Sequence, residues 1–429
     1  TWRYRFGQRL GAGAYGEAWR AVLLDGSLRE VVLKRLFVEK GEHIRQSGER
    51  EIYFGSVLHH RPHIVRFLES FEHQSRGDAS GIEDVAGAAG TASHRKAAAS
   101  EEQSELWLVF QNEGYSLVHH LFRQLPGSSV VELSDFWWHI KQRQPLGGQV
   151  IKSIAYQVLR GIAVTHELNI THRDIKLSNV LMTDTWPPVV RLGDWGSSLA
   201  GSPLREKVQT LYGEQGPSSE EETEGYQPPE AVFSKALLGR MGVEPAGPWR
   251  DVAYDLWSLG VMLLEVVLGT RQVFHIEDRR WQRLQHGLRQ SGVPREELQQ
   301  ARHLQALLDL CIRPRWSAPA DALLESLFAG LREVKYHQET EAEEGEVATA
   351  RVPVPVPSAG PSSGAGSQWQ CSDKEFAEVL RHRDTAKVGL PSRAGRDLIR
   401  RLLEFAPEDR IFASAALSHP WFEDGAQLP

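Results

Sequence analysis

The segment at residues 172–179, with the sequence HRDIKLSN, constrains this chain more than any other, because it gathers chemically distinct polar side chains. It holds a carboxylate that could accept a proton (Asp174), a cation that could face a phosphate (Lys176) and an oxygen ligand for a hard metal ion (Asn179). A second carboxylate, Asp194, follows fifteen residues after Asn179 and begins the sequence Asp-Trp-Gly. Phosphoryl transfer needs neutralised phosphate charge, an oriented hydroxyl nucleophile and a bridging metal ion. The segment therefore predicts phosphoryl-transfer chemistry.

A glycine-rich turn and a strand that carries one lysine precede this segment. Gly11, Gly13 and Gly16 lie between apolar stretches that are typical of strands, and glycines let a backbone approach phosphates without a Cβ in the way. Alone this is a weak signal, because most glycine-rich turns are only turns. Lys34 ends a Val-Val-Leu-Lys run that indicates a buried strand, where a lysine needs a carboxylate partner from the next helix.

These features, in this order, resemble those of the protein kinases. The segment 172–179 resembles the kinase catalytic loop, and residues 194–196 resemble the metal-binding motif. Residues 225–230 (GYQPPE) resemble the Ala-Pro-Glu motif, 255–260 the start of the buried αF helix, and 402–422 the close of the C-lobe. The resemblance implies an α+β chain with the bilobal protein kinase fold, in which a β-rich N-lobe carries the αC helix and the C-lobe is mainly α-helical.

The resemblance also implies two ion pairs. Lys34 should pair with Glu51 on αC, because Glu-Ile followed by a His/Pro/Ile/Val pattern matches the family register. That match needs one extra residue in the following loop, so Glu49 stays an alternative partner. Glu230 and Arg410 should form a buried ion pair beneath the activation segment.

ATP and Mg²⁺, or Mn²⁺ in its place, are the cofactors that the resemblance implies. Asp174 and Lys176 would be the catalytic residues, with Asp174 as the base, and Asn179 and Asp194 would hold the metal ion. The expected nucleotide-binding residues are Gly11, Gly13, Gly16, Ala18, Val32, Lys34, Glu51, Phe110 and Asn112.

Two departures from the family pattern compensate each other in volume. Ala18 stands where Val usually covers the adenine, and Val32 stands where Ala is usual on the same face. Because cores tolerate volume-conserving exchanges, we expect a retained adenine pocket. Phe110 would guard the back of this pocket, and residues 111–113 would form the hinge whose backbone meets adenine.

A second exchange of this kind is predicted beside the metal-binding motif. Trp195 replaces the usual Phe, and Gly55, four residues after Glu51, replaces a larger side chain on αC. We therefore expect Trp195 to fill the space over Gly55. Gly55 should also loosen αC by about 1 kcal/mol relative to Ala, which would hold the Lys34–Glu51 pair less rigidly than in most kinases.

Two positions favour serine and threonine as the residues that accept phosphate. Lys176, two residues after Asp174, resembles the Ser/Thr-kinase form of the catalytic loop. Thr223, seven residues before Glu230, occupies the place where these kinases carry a threonine that bonds the catalytic Asp and Lys. The implied reaction is transfer of the ATP γ-phosphate to Ser/Thr hydroxyls of protein substrates.

Arg173 should seek an anion in the activation segment, residues 197–230. We hypothesise that an acidic run there partly substitutes for phosphorylation or is reinforced by it, while a solvated charge run is an equally good interpretation. The candidate phosphorylation sites and the acidic residues are Ser202, Thr210, Ser218 and Ser219, and Glu220, Glu221, Glu222 and Glu224.

The whole chain is interpreted as one kinase domain that carries low-complexity insertions. The aromatic cluster at 136–138 is interpreted as packing on the C-lobe rather than as a docking groove. Regulators could bind the insertions, of which the one at 73–105 has almost no large apolar residues. The predicted ranges are an N-lobe at about 1–111, a C-lobe at about 112–429, disordered insertions at about 73–105 and 339–368, and a helical insertion at about 272–338.

Charge and composition exclude several other classes. The formal net charge of −7 argues against a nucleic-acid binder, and the longest apolar run, 256–269, is too short for a membrane span. Cys311 and Cys371 are too few for a disulfide framework, so we expect a reducing compartment and an intracellular location, in the cytoplasm or nucleus. The chain begins at Thr1 and could be excised from a longer protein.

Three functions can be ranked by how many of the kinase motifs the sequence contains. An active Ser/Thr kinase is favoured over a pseudokinase that acts as a scaffold or allosteric partner, because pseudokinases typically lack at least one of Lys34, Asp174, Asn179 and Asp194. A small-molecule phosphotransferase is disfavoured, since Arg410 and the Pro-Pro-Glu sequence build a peptide-binding platform. The amino-acid sequence around αC also resembles that of an uncharacterised plant or algal kinase group.

Overall fold

The computed structural model describes most of both predicted lobes. The predicted disordered insertion at 339–368 lies entirely outside the described residues, that at 73–105 lies largely outside them, and so does the part of the helical insertion after residue 314. The described residues are 3–75, 103–125, 127–128, 130–290, 293–314 and 371–423.

The N-terminal part is a five-stranded antiparallel sheet with one helix packed against it. In space the strands follow the order β1-β2-β3-β5-β4, so the central strand β3 is flanked by β2 and β5. The helix α1 packs on one face through Ile44, which joins a cluster with Leu36 and Phe67. These elements are β1 (Tyr4–Ala12), β2 (Gly16–Leu23), β3 (Glu30–Leu36), α1 (Glu42–Val57), β4 (Phe67–Ser75) and β5 (Gln103–Gln111).

The C-terminal part is mainly helical, as predicted. Its centre is α8 (Ala253–Leu268), in which every residue is buried, so the prediction of a buried helix here is confirmed. The other helices are α2 (Leu117–Leu121), α3 (Asp135–Gln142), α4 (Leu146–Glu167), α5 (Arg205–Thr210), α6 (Pro229–Val232), α7 (Lys235–Arg240), α9 (Asp278–Gln290), α10 (Leu298–Leu308), α11 (Asp373–Arg383), α12 (Arg393–Leu402) and α13 (Ala413–Leu417).

Short strands lie between these helices. β10 pairs with both β6 and β11, and β9 pairs with β12. They are β6 (Tyr115–Ser116), β7 (Phe122–Gln124), β8 (Val131–Leu133), β9 (Ile170–Thr171), β10 (Val180–Met182), β11 (Val190–Leu192) and β12 (Leu199–Ala200).

The aromatic cluster at 136–138 packs into the C-terminal core. Trp137 is fully buried, and its indole Nε1 donates a hydrogen bond of 2.8 Å to the carbonyl oxygen of Val266 in α8. The interpretation as core packing therefore fits this cluster better than a docking groove.

The two cysteines are paired, which corrects the sequence interpretation. Cys311 follows α10 and Cys371 precedes α11, and the two form a disulfide with their Cα atoms 5.8 Å apart. They are 60 residues apart in sequence, so only the packing of the two helices reveals the pairing. The expectation of a reducing compartment consequently loses its basis in the cysteines. Within the described ranges, no helix has the length and apolarity that a membrane span requires.

Gly55 allows α1 to approach the sheet closely, and the side chain nearest to it is Phe67 rather than the predicted Trp195. A Cβ on Gly55 would lie 2.8 Å from both the Cβ and the Cγ of Phe67, so Phe67 occupies the space over Gly55. Trp195 is buried and packs against His172, with their ring centroids 4.4 Å apart. The prediction named the wrong nearest neighbour of Gly55, because the side chain that meets this glycine depends on how α1 lies across the sheet.

The Gly55→Ala variant should be less stable than the wild type. The methyl group would overpack the contact with Phe67 at a cost of about 1–3 kcal/mol, which should outweigh the gain of about 1 kcal/mol from replacing a helical glycine. Gly287→Ala in α9 is the matched control, because its Cβ would meet nothing within 4 Å. Urea unfolding should show a loss for Gly55→Ala and a gain for the control. Equal gains in both would refute the close packing.

His303 in α10 should make the stability of the protein depend on pH. It is half-buried, its ring lies between those of Phe233 and Phe274 with centroids 5.5 Å away in each case, and desolvation lowers its pKa to about 4. The unfolded chain binds a proton near pH 6.5, so stability should fall by about 3 kcal/mol as the pH drops from 6.5 to 4. In urea unfolding, His303→Met should lose less stability than the wild type over this window. If the stability of His303→Met and of the wild type fell equally between pH 6.5 and pH 4, His303 would be excluded as a source of the pH dependence.

Candidate active site

The loop at 172–179 rests on the buried helix α8. Asp255 of α8 is fully buried and accepts hydrogen bonds from the backbone N–H groups of His172 (2.8 Å) and Arg173 (2.9 Å). Arg173 has a φ of +67°, a left-handed conformation that is uncommon for residues other than glycine and that clusters at functional sites. The two hydrogen bonds therefore fix an unusual backbone at the start of the loop.

Three polar side chains converge on Asp174. Its Oδ1 accepts a hydrogen bond of 2.5 Å from the hydroxyl of Thr223, and its Oδ2 accepts one of 2.8 Å from the amide of Asn179. The ammonium of Lys176 lies 2.7 Å from Asp174 Oδ2 and also 2.7 Å from the hydroxyl of Thr223. The threonine predicted to bond both Asp174 and Lys176 thus does so.

Lys34 connects α1 with the Asp-Trp-Gly sequence. Its Nζ lies 2.7 Å from Glu51 Oε2 and 3.1 Å from Asp194 Oδ1. Glu51 is buried, whereas Glu49 is exposed, so the predicted pairing with Glu51 is confirmed and the alternative is not. Burial disfavours the ammonium, but Asp194 and Glu51 outweigh this and raise the pKa of Lys34 above its usual range. Lys34 therefore stays charged.

Asn179 and Asp194 bring oxygen ligands to one side of this cluster. The backbone N–H of Gly193 donates a hydrogen bond of 2.9 Å to the carbonyl of Asn179, which ties the two segments together. Burial raises the pKa of Asp194, but Lys34 and Lys176 oppose this more strongly and lower it. Among the described residues, no group of three or more His, Cys, Asp or Glu side chains could hold a metal ion. Mg²⁺ is commonly held by one or two protein oxygens together with substrate phosphates, and this pair fits that mode.

A cleft of about 600 Å³ joins the glycine-rich turn to these charged groups. The backbone N–H of Gly13 donates a hydrogen bond of 2.8 Å to the carbonyl of Gly16, and this closes the turn. A Cβ on Gly11 or Gly13 would meet nothing, so these glycines leave open space. The predicted site residues that line the cleft are Gly11, Gly13, Gly16, Ala18, Lys34, Asp174, Lys176 and Asp194.

A family comparison agrees with this arrangement of groups. A family model described as the protein kinase domain matches residues 125–422, which is more than half of the 429 residues. This chain belongs to the protein kinase family. Protein kinases use ATP and divalent metal ions, and the predicted bilobal α+β fold is the fold of that family.

Individual relatives of this kinase differ in what their names say about activity. A probable inactive protein kinase of Arabidopsis thaliana is 28% identical over 75% of this chain and 81% of its own length. The serine/threonine-protein kinase ssn3 of Aspergillus terreus is 24% identical, over 99% of this chain and 77% of its own length. Cell division control protein 2 homolog D of Antirrhinum majus is 24% identical, over 72% and 79% respectively.

The remaining predicted nucleotide residues of the kinase lie behind or beside the cleft. Val32 and Phe110 are opposite each other on β3 and β5, and Phe110 is buried. Ala18 lies opposite Lys34 rather than Val32, so Ala18 and Val32 are diagonal neighbours. The amide of Asn112 donates a hydrogen bond of 2.8 Å to Glu30. The Asn112 side chain is thus occupied, which leaves its backbone as the part able to meet a nucleotide.

Sequence reasoning missed the role of Glu113, which holds the hinge of the kinase. Its carboxylate is buried and accepts hydrogen bonds from Arg66, at 2.7 and 3.1 Å, and from Arg191, at 2.9 Å. Arg66 directly precedes β4 and Arg191 lies in β11, so Glu113 connects three segments. The one available signal was that residues 111–113, which were expected to contribute only their backbone, include a glutamate side chain.

The second predicted ion pair of the kinase is present and buried. Both guanidinium nitrogens Nη1 and Nη2 of Arg410 lie 2.6 Å from the two carboxylate oxygens of Glu230. Arg410 also donates to the backbone carbonyls of Ala253, Glu404 and Phe405. The pair therefore joins the Pro-Pro-Glu segment to the start of α8.

The acidic run of the activation segment divides into two classes. Glu221 and Glu222 form ion pairs with arginines, whereas Glu220 and Glu224 are exposed. The interpretation as a solvated charge run thus fails for Glu221 and Glu222.

Proposed function

We propose that this kinase is an active serine/threonine kinase that transfers the γ-phosphate of ATP to Ser/Thr hydroxyls of protein substrates. The observation that carries the proposal is the position of Lys34, which contacts Glu51 of α1 and Asp194 at the same time. A kinase needs both its lysine–glutamate ion pair and its metal-binding aspartate in place to act on ATP.

Asp174 is the proposed base. Its carboxylate would orient the substrate hydroxyl and accept its proton, and the hydrogen bonds from Thr223 and Asn179 hold it in place. Lys176 would neutralise charge on the transferred phosphoryl group. Asn179 and Asp194 would hold Mg²⁺, which neutralises phosphate charge when bound. Lys34 and the glycine-rich turn would bind and orient the ATP phosphates.

Ser/Thr rather than Tyr specificity is supported by Thr223. Its hydroxyl bridges Asp174 and Lys176, at 2.5 and 2.7 Å, so the activation segment closes directly over the proposed base. This arrangement brings the peptide platform near Asp174, which suits a short Ser or Thr side chain better than a long Tyr side chain.

A pseudokinase that acts as a scaffold or allosteric partner is the second candidate. The Arabidopsis relative is named a probable inactive protein kinase, and Trp195 departs from the usual Phe of the metal-binding motif. Against this candidate, Lys34, Asp174 and Asp194 line one cleft, and Asn179 is present and donates a hydrogen bond to Asp174.

Phosphotransfer from labelled Mg-ATP separates the two candidates. Purified protein should label a generic protein substrate rich in Ser and Thr, and it should not label a peptide pool in which Tyr is the only acceptor. Nucleotide binding without transfer to either substrate would favour the pseudokinase. Preferential labelling of the Tyr pool would contradict the proposed specificity.

A further inference from the structure

Three arginines from separate elements converge on two neighbouring carboxylates of the activation segment. Arg50 lies on α1, Arg173 in the catalytic loop and Arg250 just before α8, and they contact Glu221 and Glu222. Arg50 and Arg173 are each only 1% exposed. Buried charges of this kind are costly unless they are paired, so the structure depends on the two carboxylates.

Glu222 is the more deeply buried of the two carboxylates, at 8% exposure. Its Oε1 accepts hydrogen bonds from Arg173 (3.1 Å) and Arg250 (2.7 Å), and its Oε2 accepts from Arg250 (3.2 Å) and Gln227 (3.0 Å). Burial opposes ionisation, but the two arginines outweigh it and hold the pKa of Glu222 below its usual range. Glu222 is therefore a fixed negative charge beside the catalytic loop.

Glu221 connects the catalytic loop with α1. One carboxylate oxygen pairs with Arg50, and the other lies 3.3 Å from Arg173 Nη1. The second oxygen also accepts a hydrogen bond of 3.3 Å from the backbone N–H of Ser218, as part of a capping box on the short helix Ser219–Glu221. The capping box thus positions the Glu221 carboxylate in addition to its ion pairs with Arg50 and Arg173.

Arg50 extends this network to the Asp-Trp-Gly sequence. Its Nε donates a hydrogen bond of 2.6 Å to the carbonyl of Gly196, and its guanidinium stacks 3.8 Å from the ring centre of Tyr212. Arg50 directly precedes Glu51, the partner of Lys34. The position of the Lys34–Glu51 pair and the order of the activation segment are therefore coupled through one arginine.

The charge of the carboxylates equals what a phosphate would bring. A phosphorylated residue carries about −1.5 to −2 charges at neutral pH, and two ionised glutamates carry about −2. The arginine cluster consequently has its anions already, from residues of the chain itself.

We propose that Glu221 and Glu222 are positioning residues that order the activation segment and hold Arg50 and Arg173, so that the kinase needs no phosphate on residues 197–230. They act through the arginines and not on the substrate. The activity readout of this inference rests on the proposed function, while the ordering of the segment can be measured without it.

The test compares phosphate-free full chain with a double variant. The protein is treated with a protein phosphatase, and mass spectrometry verifies that residues 197–230 carry no phosphate. Phosphotransfer and amide hydrogen exchange are then measured for the wild type, for Glu221→Gln/Glu222→Gln, and for Glu206→Gln/Glu214→Gln. The last variant removes the same charge from two exposed positions of the same segment.

The phosphate-free wild type should keep its activity and slow exchange over 197–230. Glu221→Gln/Glu222→Gln should lower kcat/KM at least about tenfold and speed up exchange in that segment, because two buried arginines lose their counter-charges. The control should resemble the wild type. Glu221→Asp/Glu222→Asp, which keeps both charges, should recover part of the lost activity.

Two results would overturn the inference. One is a wild type whose segment becomes exchange-labile, or whose activity disappears, on removal of phosphate. The other is a Gln double variant that matches the control in exchange and rate. A wild type that is inactive both before and after phosphatase treatment would instead count against the proposed function, and the exchange data would still decide the inference. If the double variant does not fold, the phosphatase arm decides alone.

Discussion

Asp174→Asn should lower the rate of phosphotransfer by about 10²–10⁴-fold, the usual contribution of a positioned general base. The amide has a similar size and can still accept one of the hydrogen bonds that Thr223 and Asn179 donate to Asp174. It cannot take a proton from a substrate hydroxyl. Initial rates with labelled Mg-ATP, together with a nucleotide-binding assay, should show lost transfer and retained binding.

Asp135→Asn is the matched control, because the Asp135 side chain is 83% exposed on α3. It should transfer phosphate at the wild-type rate. A rate for Asp174→Asn within about twofold of the wild type, far from the expected loss, would remove Asp174 from the proposed mechanism. Loss of nucleotide binding in Asp174→Asn would point instead to a structural effect.

Arg410→Met should destabilise the kinase by about 3–5 kcal/mol, the typical cost of removing one partner of a buried ion pair. Methionine fills much of the space, but Glu230 would keep a buried carboxylate without the two hydrogen bonds of 2.6 Å that it now accepts. Urea unfolding measures the change. The double variant Arg410→Met/Glu230→Gln should lose less than Arg410→Met alone, because no charge is stranded.

The exposed pair of Arg123 and Glu132 provides the comparison for this prediction. The Arg123 side chain is 56% exposed, so Arg123→Met should change the stability far less than Arg410→Met does. Equal losses for Arg123→Met and Arg410→Met would contradict the claim that burial of the Glu230 pair sets its importance.

The polar and charged residues of the site could be predicted because phosphoryl transfer restricts both their types and their spacing. Asp174, Asn179 and Asp194 follow from that chemistry, and the Lys34–Glu51 and Glu230–Arg410 pairs follow from a family register. The structure contains both pairs. The roles assigned to these residues in catalysis and in nucleotide and metal binding stay predictions until activity is measured.

Contacts that depend on how elements lie across each other could not be predicted. Arg50 and Glu221 are 171 residues apart, and no spacing rule joins a helix of the sheet lobe to a loop of the helical lobe. Phe67 meets Gly55 only because α1 crosses β4 at that point. Arg66 and Arg191 reach Glu113 from two other segments. In each of these contacts, the sequence around either residue contains no pattern that predicts the other partner.

The disulfide between Cys311 and Cys371 makes the segment between them a suitable place to insert another protein domain. It joins two cysteines that are 60 positions apart in sequence and holds their Cα atoms 5.8 Å apart, so the two anchor points of the intervening stretch lie side by side. A protein domain whose own termini are close together could be spliced into that stretch without changing the distance that the kinase core must span. Cutting the inserted chain once would leave both fragments covalently joined, and reduction would release them.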